Sequence, residues 1–365
     1  MSKKILTVFI AAAMIGMIFT GCIQENNTPP VAEEIVTATA QPTIAPTPVP
    51  KVGLDAVFGK EEITIAVISN ADETGSELFF YGAQKEAQSL GVNLKTITAE
   101  NRFDTAVSET AQDGADAIIA LLAHPPESYR SLIAASNSGL PICVFDMQKS
   151  TVPADFSQVY YNPVGEDALA LNAALVYPPH DSPVRLILMF ESRETQAYAT
   201  FETLYAEGKI FPKEIYIAAE DEDAAPDAWL EKRLENYVEG MLDGVFAENA
   251  GLAISAVDAL ETLARTDMEV FGIDLTPEIF SRMGGNPDVF VQTVGPNTVL
   301  AGLLCVRASL IAMADGSYST MELVPSLISA ADLSDTYDTL ADTNDSLSTL
   351  YNEDWMDSLR EYYNE

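Results

Sequence analysis

The chain has 365 residues, 48% of them apolar, and carries fifty-five acids against nineteen bases for a net charge of −36. A balance this negative excludes nucleic acid and anionic membrane surfaces as partners, because both attract basic patches. The apolar share supports a sizeable core, and the roughly 310 residues beyond the N-terminal segments are comfortable for two domains and too many for one.

At the N-terminus Lys3 and Lys4 precede an uncharged apolar stretch from Ile5 to Phe19, and Phe19-Thr20-Gly21-Cys22 follows at once. A membrane span takes about 20 apolar residues, so this shorter stretch reads as a signal segment over 1–21. The small residues before Cys22 resemble the lipobox of bacterial lipoproteins, with Phe19 where leucine is usual. The resemblance implies that Cys22 is diacylated and anchors the protein to the extracytoplasmic face of the cell membrane. Pro29, Pro30, Pro42, Pro46, Pro48 and Pro50, set among Thr, Ala and Glu, predict a semi-rigid extended spacer within 22–60.

From Glu61 onward, short apolar runs alternate with segments of helical period, the pattern of βαβ units. Strands are expected at Ile63–Ile68, Val92–Ile97, Ala117–Ala123 and Pro141–Phe145, with a weaker one near Val159–Tyr161. Helix faces lie at Phe79, Ala83, Ala87 and Leu90, stopped by Gly91, and at Tyr129, Leu132, Ile133 and Ser136. The pattern then restarts, with a helix over Leu169–Val176 and strands at Arg185–Phe190, Glu214–Ala218 and Gly244–Ala247. Further helices are expected around Ala197–Leu204, over Trp229–Leu242 and around Ala253–Ala264. Strands at Val270–Ile273 and Val289–Val294 precede a long helix from Val299 to Met313, and Leu323–Ile328 is the last strand.

Two such halves predict an α/β chain of two Rossmann-like lobes with a ligand cleft between them and three crossovers. One lobe takes 61–161 plus 295–322, and the other takes 162–294 plus 323–332. Ligand contacts are then sought beyond the carboxyl ends of the strands. Residues 333–365 form an acidic extension with a helix whose Leu347, Tyr351, Trp355 and Leu359 share one face. Asp342, Asn344 and Ser346 have the spacing of a calcium loop, but Leu347 stands where that loop needs glycine, so the segment reads as a linker. Cys143 and Cys305 lie in apolar runs and read as small buried hydrophobes rather than a disulfide.

Five stretches, taken in order, resemble the type 1 periplasmic binding proteins of the ribose- and galactose-binding branch. They are Ile65-Ala66-Val67-Ile68-Ser69 with Gly82-Ala83-Gln84-Lys85-Glu86-Ala87, then Gly139-Leu140-Pro141-Ile142 leading to Asp146. Phe246-Ala247-Glu248-Asn249 and Phe271-Gly272-Ile273-Asp274-Leu275-Thr276-Pro277 complete the set. The resemblance implies a site built from Asp146, Asn249, Asp274 and a stacking Trp229. Asn70 after the first strand, Arg193 and Gln292 supplement it. Carboxylates suit sugar hydroxyls, and an indole suits the apolar face of a ring. A cleft open to water leaves these side chains wet in the free protein.

The chain also departs from that pattern. Met147 replaces the family's arginine after Asp146, Val294 replaces a glutamine, and Ala197 falls where a second arginine is expected. Asp72-Glu73-Thr74-Gly75-Ser76 stands in place of an aromatic pair. Losing two bases while keeping two acids disfavours a carboxylated ligand and a standard pentose or hexose, and leaves a neutral polyol, an unusual sugar, a nucleoside or a cationic amine open. Each candidate also has a plain structural reading: Asp274 as a cap of the helix that follows Leu275-Thr276-Pro277, Asn249 as an N-cap, Asp146 as a turn residue, Trp229 as packing.

His124 and His180 are the only imidazoles, and neither has a nucleophile motif nearby, so no enzyme activity, catalytic residue, cofactor or metal site is expected. The expected function is that of a monomeric solute-binding lipoprotein delivering a small, sugar-like or polyol ligand to the permease of an ABC importer. The alternative is a sensor that presents its ligand to a membrane receptor kinase. The sequence fits both.

Overall fold

The computed structural model describes residues 62–340 apart from 71–72, 100–101, 123–128, 148–150, 177–183, 222–224, 316–317, 334–336 and 338–339. The signal segment, Cys22, the spacer, both histidines, the calcium-like spacing and the terminal helix lie outside the described residues.

Two six-stranded sheets form the frame. The first runs β11-β5-β4-β3-β1-β2, from β1 (Thr64–Ser69), β2 (Asn93–Thr98), β3 (Ala117–Leu122), β4 (Ile142–Asp146), β5 (Ser157–Tyr161) and β11 (Thr320–Leu323). All its pairings are parallel. Its central strands are buried on both faces, which is why they read as unbroken apolar runs. Along β3, Ala117, Ile119 and Leu121 face one core, while Ile118, Ala120 and Leu122 face another. Helices α1 (Glu73–Leu90) and α9 (Thr298–Asp315) cover the first face, and α2 (Phe103–Gln112) and α3 (Arg130–Asn137) cover the second.

The second sheet runs β12-β10-β9-β8-β6-β7, from β6 (Leu186–Phe190), β7 (Glu214–Ile217), β8 (Gly244–Ala247), β9 (Glu269–Ile273), β10 (Phe290–Gly295) and β12 (Ser326–Ser329). It is parallel except for β12, which pairs antiparallel with β10. Helices α6 (Pro226–Leu234), α7 (Ala250–Thr262) and α8 (Pro277–Gly285) pack on one face, and α4 (Glu166–Val176) and α5 (Gln196–Ala206) on the other.

The chain crosses between sheets three times: from β5 to α4, from β10 to α9, and from β11 to β12. The first and third crossings are tied together. Glu322 accepts from the Tyr160 hydroxyl at 2.5 Å and from Asn162 Nδ2 at 2.6 Å, and the Asn162 N–H donates to the Leu323 carbonyl at 2.9 Å.

Two elements differ from the expectation. The run Leu323–Ile328 is not one strand: β11 ends at Leu323 in the first sheet and β12 begins at Ser326 in the second. Pro325 lies between them and has no N–H to donate to a ladder. The helix expected over Trp229–Leu242 ends at Leu234. Beyond it Arg265 donates to the Tyr237 carbonyl, and Gly240, at φ +77°, donates its N–H to Asp267. Among the described residues no helix is long and apolar enough to cross a membrane.

Candidate functional site

The carboxyl ends of three adjacent strands in the second lobe each run directly into an acid. Glu191 follows β6, Glu248 follows β8, and Asp274 follows β9. These side chains are linked. Glu248 Oε2 accepts from the Glu191 N–H at 2.7 Å, and Asn249 Nδ2 donates to Glu191 Oε2 at 3.2 Å. Burial pushes the Glu248 carboxyl above its ordinary value.

Asp274 directly follows β9 and leads into the turn before α8. Its φ is +86°, a region that non-glycine residues enter only when their surroundings enforce it. Here the enforcement is visible. The Asp274 N–H donates to the Val294 carbonyl at 2.8 Å, and Thr293 Oγ1 donates to the Asp274 carbonyl at 2.6 Å. Gly295, at the start of the second crossing, comes so close that a Cβ there would lie 2.9 Å from the Asp274 carbonyl carbon. Asp274 Oδ2 accepts from the Ala250 N–H at 3.1 Å, at the first residue of α7. Burial raises the carboxyl, and this hydrogen bond pulls it partly back.

Asn249 caps the same helix, accepting from the Leu252 N–H at 2.9 Å. The capping reading of Asn249 holds beside any role toward a ligand. Asp274 does not cap the helix that follows it: Thr276 caps α8, accepting from the Ile279 N–H at 3.2 Å. Asp274 instead supports the N-terminus of α7 beside Asn249.

The remaining candidates lie on other elements. Asp146 ends β4 in the first lobe and is fully buried, and Asn70 follows β1 with its N–H donating to the Leu121 carbonyl at 3.1 Å. Gln292 lies within β10 on the face it shares with Val294, and its Oε1 is buried without a hydrogen-bond partner. Arg193 is engaged with Glu220 at 2.5 and 3.0 Å and with the Tyr198 hydroxyl, contacts that keep the guanidinium charged and hold Glu220 low. Trp229 is 7% exposed on α6, packed against Tyr216 at 5.1 Å with the Arg233 guanidinium 5.1 Å from its ring centre. Neither Asp146 nor Trp229 is wet in this structure, contrary to what an open cleft would give.

The sequence did not single out the group at the first crossing. Tyr161, the last residue of β5, donates to Glu166 Oε1 at 2.7 Å, at the first residue of α4. Burial drives the Glu166 carboxyl up to about 7; the Tyr161 hydrogen bond opposes this, and the charges of Asp274 and Asp167 add to it. Tyr161 is pushed up by burial, by its bond to Glu166 and by the nearby Asp274 and Asp167 charges. The Asp274 carboxylate and the first crossing thus share one electrostatic neighbourhood. Two acids opening a helix are ordinary partners of its dipole, so nothing in the local sequence marks them.

No family model matches the sequence, and no curated protein matches it. Solved structures do. A sugar ABC transporter protein from Yersinia enterocolitica subsp. enterocolitica 8081 shares 18% identity at a TM-score of 0.53, over 88% of this chain and 99% of that one. A 5-methylthioribose transporter solute-binding protein from Thermotoga lettingae, solved with 5-methylthioribose, shares 19% at 0.52, over 82% and 99%. An arabinose-binding protein from Geobacillus stearothermophilus shares 11% at 0.53, over 74% and 98%. The chain has the two-lobed fold of the type 1 periplasmic binding proteins.

Proposed function

We propose that the chain is a lipid-anchored solute-binding protein on the extracytoplasmic face of the membrane. It captures a small hydroxyl-rich ligand, a sugar or polyol, between its lobes and hands it to the permease of an ABC importer. The observation that carries this reading is the row of acceptors Glu191, Glu248 and Asp274 at three adjacent strand ends. Open α/β sheets take their ligands at that edge. Carboxylates accept hydrogen bonds only, so a row of them suits a ligand rich in O–H donors. Arg193 is held by Glu220, which disfavours an anionic ligand.

A thermal-shift screen tests the reading. A pentose, hexose or linear polyol is expected to raise the melting temperature, the gain being about 2.7 kcal/mol at a hundred times the dissociation constant. If no member of these classes shifts the melt, the reading is wrong.

Two substitutions separate binding from capping. Asp274→Ala removes both the charge and the acceptor for Ala250, so it should weaken binding by about 2 kcal/mol or more and also melt early. Asp274→Asn keeps an acceptor and tolerates positive φ, so it should weaken binding while melting close to the parent. An asparagine variant that binds as the parent does would make Asp274 a cap and nothing more.

The anchor has its own test. Cys22→Ser should abolish labelling by a fatty-acid probe, and undiminished labelling would exclude the lipobox.

A further inference from the structure

Cys143 and Cys305, far apart in the chain, meet in the core of the first lobe. Cys143 is the second residue of β4, between Ile119 on β3 and Ser157 on β5. It faces the same side as Phe145, the side that α1 and α9 cover. Cys305 lies on α9, which packs across β4. Both residues are fully buried in one apolar cluster, both are free thiols, and the two thiols share a hydrogen bond.

A free cysteine packs well as a small hydrophobe, and a single thiol needs no further account. Here the pairing is the observation. The chain has three cysteines, and the two that follow Cys22 stand against each other. They also join parts that the fold brings together late. β4 precedes the first crossing and α9 follows the second, so a bond between them closes a loop holding all of the second lobe except β12. Long loops are where a disulfide restricts the unfolded chain most.

We propose that Cys143 and Cys305 are an oxidation site, closing to a disulfide that staples α9 to β4 as the chain folds. The co-reactant is a small-molecule disulfide, and the proposed extracytoplasmic location matters only as its source. Cys143 loses its proton and attacks one sulfur of the co-reactant, which forms a mixed disulfide and releases one thiol. The Cys305 thiolate then attacks Cys143 Sγ and expels the second thiol. The cysteine pair gives up two electrons and two protons, and the co-reactant takes both as two thiols. Burial sets the timing. In the finished fold neither side chain meets solvent, and burial with the hydrogen bond to Cys143 pushes the Cys305 thiol well up, so it is a poor nucleophile there. Cys143 meets the co-reactant before α9 covers β4, and the docking of α9 delivers Cys305.

The full chain carrying Cys22→Ser leaves these two thiols alone. It is unfolded in urea with a reductant, then refolded with either oxidised glutathione or dithiothreitol. Alkylation in denaturant and mass spectrometry count the thiols. Glutathione is expected to give no alkylated cysteine and a linked Cys143–Cys305 peptide, and dithiothreitol two alkylated cysteines. The oxidised chain should melt roughly 5 °C higher or more. Two alkylated cysteines after glutathione, glutathione left on either cysteine, or an oxidised chain that melts no higher than the reduced one would each overturn the proposal. Where refolding fails, the same count on the folded chain, held with oxidised glutathione in urea below its unfolding midpoint, decides by the same outcomes. No ligand enters the test, so its failure and that of the ligand screen are told apart.

Discussion

Gly82→Ala is expected to destabilise the protein by about 3 kcal/mol or more, although alanine is the better helix former by about 1 kcal/mol. The sign reverses because α1 and α9 touch backbone to backbone. A Cβ on Gly82 would lie 1.8 Å from the Val299 carbonyl oxygen, and a Cβ on Gly302 would lie 2.2 Å from that of Phe79 and 2.7 Å from the Ala83 nitrogen. Neither obstacle is a flexible side-chain end, so a helix must move. Moving it disturbs a close-packed core that includes Phe79, Ala83, Leu303 and Leu304, and it strains the partly buried ion pair of Arg307 with Glu86, 2.6 Å apart. Urea melts measure the loss. The double variant Gly82→Ala with Gly302→Ala should cost clearly less than the sum of the single changes, because helices already parted by one methyl admit the second. A Gly82→Ala melt that matches the parent would mean that the helices do not meet at the backbone.

The second large effect is a pH dependence centred on Glu166. Its carboxyl is raised from an ordinary 4.5 to about 7 in the folded chain, by burial first and by Asp274 and Asp167 after it. The fold therefore binds this proton more tightly than the unfolded chain does. The stabilisation is complete below about 4.5, shrinks as pH rises, and is gone above about 7. The difference is on the order of 2 kcal/mol after discounting for solvent screening at a half-buried carboxyl. Glu269, raised to about 6 by burial and by Asp243, tilts the curve the same way, so the parent alone cannot assign the effect. Glu166→Gln can. It keeps an acceptor for Tyr161 and cannot ionise, so its stability should match the parent near pH 4 and exceed it near pH 8. Parent and variant curves that stay parallel across this range would remove Glu166 from the account.

How much of this was legible in the sequence depended on how each segment is buried. Ile142-Cys143-Val144-Phe145 is covered on both faces and announced itself as a strand. β5 did so only weakly, because Ser157 and Gln158 are polar yet buried, bonded to the backbone of Ser319 beside β11. The apolar run after Glu322 hid a change of sheet, since hydrophobicity is the same on either side of Pro325. At the site, Asp274 and Asn249 were visible through the resemblance carried by Phe271–Pro277 and Phe246–Asn249. Their cross-links to Ala250 and Glu191 were not, since a sequence gives position along a strand and not which neighbours lie beside it. Tyr161 and Glu166 were the least visible. Their contact spans a crossing between lobes, and its unusual electrostatics come from Asp274, far away in the chain.

The crossing pattern also fixes the order in which the molecule can be completed. The core behind β1, β3 and β4 draws on Ala301, Leu304 and Val306 of α9, and the sheet itself ends on β11. A chain emerging from its N-terminus thus presents β1 to β5 long before the helix that covers them exists. The second sheet waits equally for β12. Completing either sheet thus requires chain beyond the second crossing, after nearly all the described elements.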